Sequence, residues 1–153
     1  MRFSIALKLA LCAAPAMAQS ALDQDVLGHY EPLSRTAIAI TGPIVISPTS
    51  IAFSGKAVQT TPQGKYWRVW GDDTKKNSAT VYELKADPGK LLQGNTLCGS
   101  NPARFAVVWP SYDELIGGSV KLAIYSSSVT PYDSSSPGLC GIFNYVLKRS
   151  KVK

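Results

Sequence analysis

Histidine occurs once in this chain, at His29, and cysteine only three times, at Cys12, Cys98 and Cys140. That supply argues against a zinc site, which draws about four ligands from Cys, His and carboxylates at matched spacing. The thiols form no Cys-x-x-Cys, so the signature of a thioredoxin-type redox pair is missing as well. No Gly-x-Ser-x-Gly elbow accompanies His29, the only imidazole that a Ser-His-Asp arrangement could use. Apolar runs are short, and none reaches the 18 or so residues of a membrane-crossing helix. Amphipathic stretches of helical period are scarce, which leaves all-β as the fold class. Nothing in the chain calls for a cofactor.

What is present begins with a leader. Arg2 and Lys8 flank the start of an apolar run that extends to Ala14, and Ala16-Met17-Ala18 supplies the small residues of a signal peptidase site. Residues 1–18 therefore read as a secretory signal peptide cut before Gln19. Cys12 lies within it, and Leu11 stands where a lipoprotein signal carries a small residue. The expected location is the periplasm or the exterior, where disulfides form and persist. Cys98 and Cys140 are the thiols left there, and a structural disulfide between them is expected. In the chain-entropy account, closing a loop of this size is worth about 4 kcal/mol.

The formal net charge of +6 comes from the two ends of the chain. Two of the sixteen basic residues lie in the leader and four in the tail, Lys148, Arg149, Lys151 and Lys153, so residues 19–147 hold ten basic and ten acidic residues. A neutral body is a poor match for nucleic acid, which asks for Lys and Arg gathered on one folded face. The tail at 148–153 is suited to weak contact with an anionic surface. The residues from 19 to 147 make one domain with one core.

Short runs rich in β-branched and aromatic residues recur between turns. They cover residues 35–41, 44–47, 50–53, 56–60, 65–70, 79–84, 104–109, 120–125 and 139–147, eight or nine strands in all. Gly42-Pro43, Pro48-Thr49, Pro62-Gln63-Gly64 and Asp87-Pro88-Gly89 supply the breaks. Only Ser111 to Ile116, after Pro110, offers a helical turn. This spacing predicts a single antiparallel meander closed as a small barrel of about eight strands, with a β-sandwich as the alternative. Ser126 to Gly138, with six serines and two prolines, is the longest irregular segment.

The stretch Tyr66-Trp67-Arg68-Val69-Trp70 carries the densest aromatic chemistry. A period of two sets Tyr66, Arg68 and Trp70 on one face and Trp67 and Val69 on the other. One face belongs to the core, and the other joins amphipathic rings to a guanidinium, a mixture favoured at binding hot spots. Tyr66, Arg68, Trp70 and Trp109 are accordingly the expected binding residues. The acid pairs Asp72-Asp73 and Asp113-Glu114 sit in polar connections and read as solvated.

Gly28-x-Tyr30, Ile40-Thr-Gly-x-Ile44, Gly94-Asn-x-Leu-Cys-Gly99 and Leu139-Cys-Gly-x-Phe-x-Tyr145 together resemble small exported bacterial proteins, a resemblance that implies no activity. In size, export and meander the chain is also similar to lipocalin-like barrels, although Tyr30 stands where their Gly-x-Trp signature has Trp. It resembles the periplasmic inhibitors of c-type lysozyme as well, where Ser54-Gly55 meets the first two letters of a Ser-Gly-x-x-Tyr motif and position 58 is Val. These features point to an exported, non-catalytic binding protein of the cell envelope that takes a small apolar ligand or a protein partner. An inhibitor of a hydrolase such as lysozyme, a small hydrolase using His29, and a structural protein held by the tail are the alternatives.

Overall fold

The structure, a computed structural model, describes residues 26–111 and 118–149. The leader at 1–18, most of the helical turn expected at 111–116, Asp113 and Glu114, and Lys151 and Lys153 lie outside the described residues. Eight antiparallel strands run in sequence order: β1 (Gly28–Pro32), β2 (Ile44–Ile46), β3 (Ser50–Phe53), β4 (Lys56–Val69), β5 (Lys76–Leu84), β6 (Phe105–Ser111), β7 (Ser119–Tyr125) and β8 (Leu139–Leu147). Each pairs with its neighbours in the chain, and β1 pairs with β8 to close a barrel. The expected meander barrel is the architecture found. Among the described residues no helix is long and apolar enough to cross a membrane.

Alternation decides which residues fill the barrel. Ile44, Ile46, Ile51, Phe53, Tyr82, Leu122, Ile124, Phe143 and Tyr145 point inward and are fully buried or nearly so. Side chains of this size fill the interior of a small barrel. Burial, and secondarily the Tyr82 charge, pushes the Tyr30 phenol up to about 12. Burial raises Tyr145 as well, against the opposing effect of the hydrogen bond that it shares with Thr41. These phenols stay neutral at physiological pH and serve as polar members of the core.

Three segments depart from the sequence reading. Residues 35–41, expected as a strand, instead hold a wide, π-helical turn at Ala37–Thr41. Local side-chain bonds override the β preference of Ile and Thr there. The Ala37 N–H donates to Ser34 Oγ, and the Thr41 hydroxyl donates to the Ala37 carbonyl. Gly42, at φ 59°, ends the turn with its N–H on the same carbonyl, and a Cβ there would collide with Ser54 Oγ and Leu92. The first strand is instead Gly28–Pro32, too short and polar to announce itself. The two runs at 56–60 and 65–70 form one 14-residue strand, β4, bulged between Pro62 and Gly64.

The disulfide joins Cys98, in the long β5–β6 connection, to Cys140 at the start of β8. Both half-cystines pack against the interior core. Its loop spans 42 residues, the separation from which the estimate of about 4 kcal/mol was drawn.

A second core lies on the outside of the barrel. Val81 of β5, Phe105, Val107 and Trp109 of β6, and Ala123 and Tyr125 of β7 alternate with the interior residues and are also buried. Strands apolar on both faces need a cover on each. Trp70 supplies part of it: the chain leaves β4 and crosses the outer face so closely that a Cβ on Gly71 would strike Ile142 of β8 and the Trp109 ring. The serine-rich segment supplies more, with Pro131 and Ser136 buried and the Ser134 N–H donating to the Val69 carbonyl at 2.8 Å. Truncating Trp70 to Ala should therefore cost about 3–5 kcal/mol, the scale of a buried large-to-small change. Urea unfolding followed by far-UV circular dichroism checks this, with Trp67→Ala as a control that stays within about 0.5 kcal/mol of the parent.

Candidate functional site

β4 and β5 form a long hairpin that carries Tyr66, Arg68 and Trp70, whereas Trp109 lies on β6. Tyr66 opposes Ala79 and packs half-buried on the outer core. Trp70 and Trp109 are both 0% exposed, so the two rings expected to offer contact surface are packing elements. Their indoles are satisfied internally: Trp70 Nε1 donates to the Tyr66 carbonyl at 3.4 Å and Trp109 Nε1 to Asp73 Oδ2 at 2.9 Å. Arg68 is exposed, and its guanidinium folds back onto the Trp67 carbonyl at 3.1 Å. Trp67, assigned to the opposite face in the sequence reading, is the ring presented to solvent, at 61% exposure. The aromatic run thus splits, with Trp70 in the outer core and Trp67 outside.

The bulge explains the split. Before it, Val58 and Thr60 point inward; after it, Lys65 and Trp67 stand opposite Thr80 and Ser78, on the face that lines the barrel further down. The hairpin carries that face to the rim, where Trp67 meets water. β4 ends at Val69, and Trp70 turns across the outer wall, on the same side as Tyr66.

Asp73 fixes the turn of the hairpin. Its carboxylate accepts from Trp109 Nε1, from Asn77 Nδ2 at 2.8 Å and from the Lys121 ammonium, which also reaches Asp72 at 2.9 Å. Lys121 lies on the outer face of β7 with its side chain 17% exposed. Burial works against its ammonium, yet the hydrogen bonds and charges of Asp73 and Asp72 outweigh it and hold the pKa above the ordinary lysine value. The Lys121 hydrogen bond in turn holds Asp72 below the ordinary carboxylate value, despite some desolvation. The acid pair expected as solvated is therefore a latch.

Two shallow grooves flank this latch. One, of about 290 Å³, is lined by Leu33, Ser34, Ser119, Lys121 and Asn144 among others, and the second, of about 270 Å³, by Asp73, Thr74, Lys75 and Asn77 with Pro110 and Ser111. Most of their polar side chains are engaged within the protein, as Ser119 Oγ is with the Ser111 carbonyl at 2.6 Å. Asn144 Oδ1 is the buried lining atom left without a partner. Both grooves are small and open for a ligand pocket.

The remaining candidates are dispersed. His29 is exposed on β1, and its side chain has no partner among the described residues. Ser54, in the exposed β3–β4 turn, spends its hydroxyl on the Thr41 carbonyl at 2.8 Å. Lys148 pairs with Glu31 at 3.0 Å, tying the start of the tail to β1. No group of three His, Cys, Asp or Glu able to hold a metal is found among the described residues. Comparison with protein-family models, with curated proteins and with solved structures returns no match.

The latch makes a pH prediction. A carboxylate whose folded pKa is depressed stabilises above its unfolded value near 4 and loses that contribution as pH falls through the folded value. An ammonium whose folded pKa is raised stabilises fully below about 10.4 and loses it as pH rises through the folded value. Lys121→Met should therefore destabilise by about 1–3 kcal/mol between these limits, since it strips Asp73 of a partner. The gap between variant and parent urea midpoints should be flat from about pH 5 to 9 and shrink below and above that window.

Proposed function

We propose that this is an exported, non-catalytic binding protein of the cell envelope, and that the β4–β5 hairpin grips a protein partner. The observation that carries the reading is Trp67, a tryptophan 61% exposed at the rim of a rigidly latched hairpin beside the exposed Arg68. Large rings next to arginine are the side chains most enriched at energetic centres of interfaces. Two features of the barrel favour a protein over a small apolar ligand. Its interior is packed with Phe53, Tyr82, Phe143 and Tyr145, and both grooves described above lie open at the surface. The fixed hairpin also lowers the entropy lost on association, because little of the contact surface has to be ordered.

A photo-reactive amino acid at position 67, introduced in the producing cell and irradiated there, tests the reading. The expected result is a discrete protein adduct from position 67 and none from the same group at position 29, on the exposed side of β1. Adducts of equal yield from both positions, or none from position 67, would remove the hairpin as the binding element.

A further inference from the structure

We propose that the serine-rich segment at 126–138 is the second half of the binding surface, and that Tyr132 and Val129 join Trp67 and Arg68 against a folded protein whose apolar contact patch is rimmed with carboxylates. This rests on the reading of the hairpin as the binding element and adds how far the surface extends and what it fits. The segment is a closed loop rather than a slack connection. Its ends meet where the Ser126 N–H donates to the Gly138 carbonyl at 2.8 Å, just before the disulfide at Cys140. Compact surface loops closed in this way are frequently functional. Inside the loop, Ser136 Oγ accepts from the Tyr132 and Asp133 N–H groups, and Asp133 Oδ1 accepts from the Ser135 N–H and hydroxyl. Ser127 Oγ accepts from the Val129 N–H, and the Ser126 hydroxyl donates to the Gly138 carbonyl. The polar side chains are thus turned largely on the loop itself, while Val129 and Tyr132 are 60% and 54% exposed. Covering the outer core accounts for the buried Pro131 and Ser136 and leaves these two outward side chains unexplained.

Two hydrogen bonds bring this loop beside Trp67. The Ser134 N–H donates to the Val69 carbonyl, and the Arg68 guanidinium donates to the Trp67 carbonyl. Carbonyls two residues apart on a strand point to the same side and lie about 7 Å from each other. Both point away from β5, on the side where β3 has already left β4. Tyr132 is two residues from Ser134, so its Cα lies within about 7 Å of chain from that contact. Trp67, Arg68 and Tyr132 therefore belong to one patch that spans two braced elements. Single exposed apolar side chains are ordinary, whereas several together mark an interaction site. Tyrosine set among serines on a rigid frame is also the composition of antibody binding loops, where the ring supplies area at low entropic cost.

The polar atoms left over at the patch select the partner. Arg68 makes one bond within the protein, to a carbonyl, and the Trp67 indole N–H makes none among the described residues. The nearby acids are engaged: Asp133 holds Ser135, and Asp72 and Asp73 hold Lys121. A patch of donors fits a rim of acceptors, and a guanidinium fits carboxylates above all. A second copy related by a two-fold axis would set the same donors against each other. An added strand would need the outward carbonyls of Trp67 and Val69, which Arg68 and Ser134 already hold. Neither groove described above reaches the patch, so an extended peptide finds no channel there. A folded surface that receives the two rings and Val129 is the partner that remains.

The test places a photo-reactive phenylalanine analogue, which keeps a ring, at position 132 and separately at position 67, and irradiates the producing cells. Both positions should give an adduct with the same protein, and mass spectrometry should map the two cross-links to stretches far apart in its sequence. Val129→Ser combined with Tyr132→Ser should lower the yield from position 67 about tenfold, at an unchanged thermal unfolding temperature because both side chains lie in water. Tyr132→Phe, which keeps the ring, should retain most of that yield. Arg68→Glu should lower the yield from both positions about tenfold or more. A yield from position 67 indifferent to the serine variant, a different protein at position 132, or no adduct there removes the loop while the hairpin reading stands. An adduct from position 132 alone, or none from either position, removes the hairpin and the shared surface together. Cross-links within one short stretch of the partner, an adduct of twice the mass of this chain, or indifference to Arg68→Glu also overturns the proposal.

Discussion

The carboxylate of Asp73 carries more of this structure than any other polar group. Three donors from three places in the chain converge on it: the Trp109 indole from β6, the Lys121 ammonium from β7 and the Asn77 amide at the start of β5. That convergence adds to the packing of Trp70 and the Ser134–Val69 bond in holding the turn across the outer wall, where it covers Val81, Val107 and Ala123. Charge-assisted bonds to a partly buried acceptor are stronger than neutral ones. One turn residue therefore ties the longest hairpin to the next two strands, β6 and β7.

A barrel with two cores distributes its rigidity unevenly. β1, β2 and β3 are short and contribute to the interior alone, whereas β5, β6 and β7 are clamped on both faces. The hairpin of β4 and β5 grows from the clamped side. Its turn cannot easily pivot, since the Asp73 latch and the Ser134–Val69 bond both hold that end. An exposed ring on a loose loop loses side-chain and backbone entropy when it binds. Trp67 has lost most of the backbone part on folding.

How far the sequence discloses this depends on which pattern is counted. The strands and their closure are legible because runs such as Phe105-Ala-Val-Val-Trp109 and Val120-Lys-Leu-Ala-Ile-Tyr125 are bounded by turn residues at even spacing. The continuity of those runs also signals burial on both faces, and that signal places Trp109 in a core rather than on a surface. The disulfide follows from the count of thiols and the expected compartment. Residues 35–41 mislead because Ser34 and Thr41 bind the local backbone, an effect that β propensity does not contain. The latch is hidden for a different reason: Asp73 and Lys121 lie 48 residues apart and meet only through the pairing of three strands.

The exposed tryptophan is the instructive failure of alternation. A strict period of two across Tyr66 to Trp70 groups Arg68 with Trp70 and sends Trp67 to the other face. The faces are as counted, yet their environments are exchanged. Outside the barrel is where the second core lies, so Tyr66 and Trp70 are covered, while the barrel-lining face runs past the rim into solvent and carries Trp67 with it. Periodicity distinguishes two sides of a strand and is silent on which of them the fold covers. That assignment comes from strand length relative to the barrel: a hairpin that ended with its neighbours would have kept Trp67 inside. The extra length of β4 is thus what sets a large aromatic ring in water.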